Sequence, residues 1–142
     1  MARNEQYSLL LLAGGKSARM GTSKAELLYE GKTFLQHMLD KAHALGIRVM
    51  LDAVFNHSGT EFFAWKDVWE KGEESKYFDW FCIHQKDFPR TWDSLRDGRF
   101  DGFAFLPSMP KLDTGNPKVQ AYFAEICSYW VDAWGIDGIR FD

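Results

Sequence analysis

Hydrophobic residues in the first third of this 142-residue chain follow a strand–helix–strand pattern. Residues 7–13 form a continuous apolar run, which is typical of a parallel strand buried on both faces. Apolar residues then recur at helical spacing over 34–45, with Thr33 as the predicted N-cap and Gly46 as the stop. A second apolar, β-rich run covers residues 47–55. This segment predicts a β-α-β unit.

The rest of the chain predicts a long insertion, a second helix and a third strand. Residues 58–112 are rich in aromatics, glycine and charge and show no clear periodicity. Asn116 and Pro117 then predict the start of a helix that ends at Gly135, and residues 136–141 predict a strand. The order β-α-β-(insertion)-α-β favours an α/β fold with a parallel sheet and right-handed crossovers.

A glycine-rich loop follows the first predicted strand. Residues 13–24 read Ala-Gly-Gly-Lys-Ser-Ala-Arg-Met-Gly-Thr-Ser-Lys, and glycines let backbone amides approach phosphate oxygens. Arginine can hold a phosphate with its bidentate fork, and lysine adds a point charge. The alternative is a tight turn with two solvated cations. The candidate nucleotide-binding residues are Ala13, Gly14, Gly15, Arg19, Gly21 and Lys24.

This loop resembles the fingerprint of molybdenum-cofactor guanylyltransferases and sugar-phosphate nucleotidyltransferases. The resemblance extends to about residue 46 and implies a Rossmann-like β-α segment over 1–46 that binds GTP with Mg²⁺. The later segments that recognise the base and hold the metal in that family do not follow. Nucleotide binding is therefore the expectation, and nucleotidyl transfer is not.

Three later motifs resemble the alpha-amylase superfamily (glycoside hydrolase family 13). Residues 46–57, 109–113 and 136–142 carry this resemblance, and Met-Pro-Lys-Leu in the second motif indicates the neopullulanase and cyclomaltodextrinase group. Asp113 stands where that group more often has Asn. The resemblance implies that residues 47–142 are a partial (β/α)8 barrel with the aromatic-rich insertion 58–112.

The same resemblance implies roles for five residues at strand ends. Asp142 would be the nucleophile, and Arg140 would orient it and keep it ionised. His57 would contact the sugar in the cleavage subsite, and Asp52 would support the end of the strand beside the substrate. Asn56 would be a Ca²⁺ ligand in relatives that bind this ion. The alternative for each residue is an ordinary hydrogen-bonded polar group at a strand end.

Catalysis by this chain alone is not expected. The general-acid glutamate and the third carboxylate of the family belong to later strands of a barrel that needs about 250 residues. We therefore expect no hydrolysis of pullulan, cyclodextrin or starch. Asp142 is also the last residue of the sequence, so its backbone carboxylate is expected to crowd the nucleophilic side chain. An open sheet edge predicts a homo-oligomer.

The aromatic residues of the insertion fit either a small core or sugar-stacking faces. We favour the core because buried aromatics are the common case. This set contains Phe62, Phe63, Trp65, Trp69, Tyr77, Trp80, Phe81 and Trp92.

Composition narrows the class of protein only slightly. A net charge of −3 gives no basic field for nucleic acid or an acidic membrane, and no apolar run approaches the roughly 18 residues of a membrane span. Two cysteines make no disulfide framework, so a cytoplasmic location is expected. Three interpretations stay open: an incomplete α-glucan-acting hydrolase, a nucleotide-binding remnant, and an artificial chimeric domain without biochemical activity.

Overall fold

The computed structural model describes residues 27–85 and 98–142. The predicted strand at 7–13 and the glycine-rich loop lie outside the described residues. The described part divides into two compact units. The first unit contains the residues up to Leu51 and Ser128–Arg140, and the second contains Asp52–Cys127 and Phe141–Asp142.

The first unit opens with a small hairpin that the sequence pattern did not predict. Strands β1 (Leu28–Tyr29) and β2 (Lys32–Thr33) pair antiparallel. The two residues between them, Glu30 and Gly31, have φ values of 49° and 79°. Positive φ at both central positions is the turn geometry that matches the twist of a two-residue hairpin. The hairpin leads directly into the first helix.

Helix α1 (Phe34–Ala44) has the bounds that its capping residues predict. Thr33 Oγ1 accepts a hydrogen bond from the backbone N–H of Gln36 at 3.2 Å, as an N-cap does. Leu39 on its inner face is 2% exposed. Gly46 follows the helix with φ 71°, a conformation that glycine adopts without steric cost. Both predicted helix ends are confirmed.

Strands β3 (Met50–Ala53) and β4 (Gly138–Phe141) are hydrogen-bonded neighbours in a second two-stranded sheet. Both lie inside the predicted runs 47–55 and 136–141 and are shorter than those runs. The last two of the three predicted strands are therefore adjacent, although more than 80 residues separate them.

Asp137 holds the start of β4 in the first unit. Its carboxylate accepts the backbone N–H of Val49 at 2.8 Å and pairs with His43 Nε2 at 3.1 Å. Its own N–H donates to the carbonyl of Val49 at 2.9 Å. The Val49 hydrogen bond first, and then the His43 contact, lower the pKa of Asp137.

Helix α2 (Phe63–Lys71) in the second unit corrects the prediction of an irregular insertion over 58–112. Ala64, Trp65 and Val68 are buried, which is the i, i+1, i+4 spacing of a helix face. Short 3₁₀ turns account for more of the insertion: Gly72–Glu74, Phe78–Trp80 and Phe103–Phe105.

The core of the second unit is largely aromatic. The Trp65 ring lies 4.8 Å from the Phe81 ring and 5.2 Å from the Phe100 ring, measured between centroids. The buried cluster consists of Ala64, Trp65, Val68, Trp80, Phe81, Phe100, Leu112 and Val119. The preference for a core role is confirmed for Trp65, Trp80 and Phe81, which are buried.

The remaining aromatics of the predicted set lie at the edge of this cluster or outside the described residues. Phe62, Trp69 and Tyr77 are half-buried and pack against the cluster. Phe63 is 44% exposed. Trp92 lies outside the described residues.

Helix α3 (Pro117–Trp134) also confirms its predicted ends. Asn116 Oδ1 accepts the backbone N–H of Lys118 at 2.9 Å, and Gly135 follows the helix with φ 67°. Its apolar stripe is mostly half-buried, with Val119 the buried member. Within residues 27–85 and 98–142, no helix is long and apolar enough to cross a membrane.

Candidate functional site

An open cleft of about 540 Å³ lies in the second unit, just beyond the carboxyl ends of β3 and β4. In barrel enzymes, this end of the strands carries the catalytic groups. The described residues that line the cleft are Val54, Asn56, His57, Gly102, Phe103, Ala104, Lys111 and Asp142.

The Met-Pro-Lys-Leu segment fixes the residues that follow β3. The N–H of Leu112 donates to the carbonyl of Asn56 at 3.0 Å, and the N–H of Ser58 donates to the carbonyl of Pro110 at 3.0 Å. His57 and Lys111 form an antiparallel bridge between these two bonds. The segment thus acts as a short strand that holds Asn56 and His57 at the rim.

The same segment is also held from its other side. The Lys111 N–H donates to the Asp101 carbonyl at 2.9 Å, and the Cys82 N–H donates to the Lys111 carbonyl at 3.0 Å. The Phe103 N–H donates to the Met109 carbonyl at 2.9 Å. Backbone pairing on both sides therefore fixes Lys111 and Phe103 next to His57.

A ring stack forms one wall of the cleft. The His57 imidazole lies parallel to the Phe103 ring, with 4.5 Å between centroids and 4° between planes. Asn56 Nδ2 lies 3.5 Å from His57 Nδ1. Stacking restricts the imidazole to one plane and keeps its polar edge available for a hydroxyl group.

The loop that supplies Phe103 has an unusual backbone. Ala104 and Phe105 have φ values of 52° and 59°, in the left-handed region that non-glycine residues rarely adopt. Phe105 is 91% exposed, so its own side chain does not compensate by burial. Strain of this kind persists where surrounding contacts determine the backbone, often beside functional sites.

Cys82 contacts the Met-Pro-Lys-Leu segment and does not line the cleft. Its thiol points toward the carbonyl of Leu112, with 3.6 Å between sulfur and oxygen. Burial is the main cause that raises the pKa of the Cys82 thiol. A thiol that is harder to ionise is a poor nucleophile, so we assign Cys82 a structural role.

Three of the five residues predicted for the hydrolase site meet in this cleft. Asn56, His57 and Asp142 line it together. Asp52 lies on β3 and Arg140 on β4, and both are exposed and absent from the lining. The roles assigned to all five residues stay predictions.

Sequence reasoning missed two prominent members of the lining, Phe103 and Lys111. Lys111 lies inside the Met-Pro-Lys-Leu motif, which served only to indicate a subgroup. Phe103 shares a phenylalanine-rich stretch with Phe105, and nothing local distinguishes the ring that faces the cleft from the ring that faces solvent.

The Ca²⁺ role predicted for Asn56 stays a prediction. Ca²⁺ takes six to eight oxygen ligands, largely from carboxylates and carbonyls. The backbone carbonyl of Asn56 accepts the Leu112 N–H, and the side-chain nitrogen Nδ2 lies 3.5 Å from His57 Nδ1, so the side-chain oxygen Oδ1 is the atom that would bind the ion. Across residues 27–85 and 98–142, no group of three or more His, Cys, Asp or Glu side chains could hold a metal.

The six predicted nucleotide-binding residues, Ala13, Gly14, Gly15, Arg19, Gly21 and Lys24, lie outside the described residues. GTP and Mg²⁺ binding by this loop therefore stays a prediction.

Comparison with known proteins identifies the family of the chain that forms this cleft. The family description "Alpha amylase, catalytic domain" matches residues 28–142, well over half of the chain. The chain belongs to the alpha-amylase family. The match begins inside the segment that sequence analysis assigned to a nucleotidyltransferase and includes the hairpin and α1.

Individual relatives show which members of that family the chain resembles. The chain is 48% identical over 111 residues to the maltogenic alpha-amylase of Bacillus acidopullulyticus, covering 78% of this chain and 18% of the relative. It is 46% identical over 108 residues to neopullulanase 2 of Thermoactinomyces vulgaris, covering 75% and 18%. The resemblance to the neopullulanase and cyclomaltodextrinase group is thereby confirmed.

Solved structures show the same similarity in three dimensions. A cyclomaltodextrinase structure superposes with a TM-score of 0.66 at 46% identity, covering 76% of this chain and 18% of that one. The type III pullulan hydrolase of Thermococcus kodakarensis gives a TM-score of 0.66 at 41% identity. The chain thus spans about a fifth of the length of the relatives it matches. The predicted α/β class is confirmed.

Proposed function

We propose that this chain carries part of the α-glucan-binding cleft of a neopullulanase- or cyclomaltodextrinase-like glycoside hydrolase. One observation supports this most: the candidate nucleophile Asp142 and the candidate sugar contact His57 line one cleft. The names of the relatives supply the ligand class, because they describe maltogenic, pullulan-hydrolysing and cyclomaltodextrin-hydrolysing enzymes.

Each lining residue has a chemical use in such a site. The Asp142 carboxylate can attack an anomeric carbon as the nucleophile of a retaining hydrolase. The polar edge of His57 can bond a sugar hydroxyl, while Phe103 behind it offers an apolar ring for the C–H face of a sugar. Lys111 adds a donor at the rim. Arg140, on the strand before Asp142, would orient the nucleophile, as the family resemblance implies.

The positions of Asp52 and Asn56 suit supporting roles. Asp52 lies on β3 one residue before Ala53, which is 2% exposed, and we assign it to the support of the strand end beside the substrate. Asn56 lies between the backbone of Leu112 and the ring of His57, so it orients His57.

We propose that this chain binds a glucan without cleaving it. Retaining hydrolysis needs a nucleophile and a second carboxyl group about 5 Å away as the acid. Within the described lining of the cleft, Asp142 supplies the single carboxyl side chain. Loss of general acid catalysis costs on the order of 10²–10⁴ in rate. An open cleft also leaves much of a bound sugar in water, so weak affinity is expected.

The binding proposal is tested by calorimetric titration with maltotriose. Replacing His57 with alanine should weaken binding about tenfold or more, because it removes a polar contact and half of the ring stack. His37→Ala is the matched control, since His37 is a histidine that does not line the cleft. Equal affinities in the two variants would contradict the proposal.

Hydrolysis is tested separately. Reducing-sugar release from pullulan, cyclodextrin and starch should equal that of the Asp142→Asn variant. Release above that background would show that this chain completes the site by itself.

We also propose two properties of the chain in the cell. A relative from Bacillus subtilis, 47% identical over 105 residues, is described as an intracellular maltogenic amylase, which favours a cytoplasmic location. Among the residues that the structure describes, the β3–β4 sheet has two strands, and a sheet edge without a third strand would favour a homo-oligomer. Sedimentation equilibrium that gives a concentration-independent monomer would exclude the oligomer.

A second proposal concerns GTP binding by residues 13–24. It is favoured by the sequence of that loop alone, in which paired glycines precede Arg19 and Lys24.

A further inference from the structure

A second, smaller cleft lies along helix α2 in the second unit. It has a volume of about 240 Å³ and shares no lining residue with the larger cleft. Its lining consists of Thr60, Glu61, Trp65, Lys66, Trp69 and Glu70. We call it the α2 cleft.

Two indole rings form the apolar part of the α2 cleft. Trp65 and Trp69 are four residues apart on α2 and therefore lie on one face of the helix, with 6.0 Å between ring centroids. Trp65 is 1% exposed and packs against Phe81 and Phe100 in the core. Trp69 is half-buried. A ring that leans on a fixed core residue is already ordered before a ligand arrives, which lowers the entropic cost of binding.

Polar groups of both hydrogen-bonding types surround the indole rings. Glu61, Lys66 and Glu70 are exposed, and Lys66 Nζ donates to Glu61 Oε2 at 3.3 Å. The carboxylates accept hydrogen bonds, the ammonium donates them, and the Thr60 hydroxyl does both.

The balance of charge and donors excludes several classes of ligand. Among the described residues of the rim, two carboxylates outnumber one ammonium, which disfavours phosphates and nucleic acid. In the described part of the chain, no group of three acidic, histidine or cysteine side chains could hold a metal. A purely apolar ligand would desolvate the charged rim without replacing its hydrogen bonds.

We propose that the α2 cleft is a second carbohydrate site, which binds one neutral pyranose ring of an α-glucan outside the cleft that contains Asp142. A pyranose has an apolar C–H face for the indole and equatorial hydroxyls for the carboxylates and the ammonium. The volume lies below the range of about 300–1,000 Å³ typical of larger ligands and suits a single ring. The choice of an α-glucan rests on the proposed function.

The test is saturation-transfer NMR with maltotriose, analysed as a titration, in a His57→Ala background. In this background, binding at the larger cleft is weakened, so the remaining binding reports on the α2 cleft. Adding Trp69→Ala should weaken that binding about tenfold, near the upper end of what an aromatic contact contributes.

A second pair of variants covers the case in which Trp69→Ala disturbs folding. Glu70→Ala removes an exposed rim carboxylate and should weaken maltotriose binding several-fold in the same background. Glu73→Ala is the matched control, because Glu73 is an exposed glutamate outside the cleft. Far-UV circular dichroism confirms that each variant is folded.

The outcomes separate this proposal from the proposed function. If binding in the His57→Ala background is absent, or is equal with and without Trp69 and Glu70, the α2 site is wrong and the larger cleft is unaffected. If wild-type binding depends on Trp69 and not on His57, the α2 site stands and the proposed function fails.

Discussion

Replacing Trp65 with alanine tests the account of the second unit's core. This side chain is 1% exposed and contacts Phe81 and Phe100. A buried tryptophan removes about 150–250 Å² from water, which at about 25 cal/mol per Å² gives roughly 4–6 kcal/mol. Measured truncations of buried Phe or Trp cost about 3–5 kcal/mol. We therefore expect the free energy of unfolding to fall by about 4 kcal/mol.

Urea unfolding followed by far-UV circular dichroism measures this loss without relying on the deleted indole. With a denaturant dependence of about 2 kcal/mol per M, the midpoint should fall by about 2 M. Phe105→Ala is the control, because this large aromatic is 91% exposed and its loss should change stability by less than about 0.5 kcal/mol. A Trp65→Ala midpoint as close to wild type as that of Phe105→Ala would refute the assigned core.

Three further predictions concern other parts of the chain. The pKa of Asp137 is lowered, so its stabilising contacts, including that with His43, are fully present above the unfolded pKa and are lost as pH falls through the lower folded value. The thermal midpoint of Asp137→Asn should therefore lie below that of wild type at pH 7, and the two midpoints should converge at acidic pH as the wild-type carboxylate is protonated. Ala104→Gly should raise the free energy of unfolding by about 0.5–1 kcal/mol, because the left-handed backbone costs alanine about 1–2 kcal/mol and the greater entropy of unfolded glycine offsets part of the gain. An unchanged urea midpoint would argue against strain at Ala104. A fluorescent GTP analogue with Mg²⁺ should bind the chain and lose binding in Lys24→Ala and Arg19→Ala; binding that persists in both variants would contradict the loop assignment.

The helix ends were predictable where a local side chain determines them. Thr33 and Asn116 cap α1 and α3 with their own oxygens, so the signal lies within three residues of the helix. Helix α2 has Phe62 at its N-cap position and no side-chain cap bond there. Its three buried residues lie among the less buried aromatics Phe63 and Trp69, which concealed the helical period.

The candidate site was predictable only in the residues that carry family motifs. Asn56 and His57 follow the predicted strand 47–55, and Asp142 follows the predicted strand 136–141, so the sequence itself locates the rim. Phe103 and Lys111 reach the cleft through pairing of segments about 50 residues apart, and the pattern along the chain contains no signal for that pairing.

The proposed α-glucan cleft is tested most directly by titrating maltotriose into the chain labelled with ¹⁵N-histidine and recording the histidine ring resonances. The chain has four histidines, so the three outside the cleft are internal controls. We expect saturable shifts of the His57 ring resonances, absent in His57→Ala, while the ring resonances of His37, His43 and His84 stay unchanged. Unchanged His57 resonances at high maltotriose, or equal shifts of all four histidines, would contradict the claim that this chain carries an α-glucan cleft.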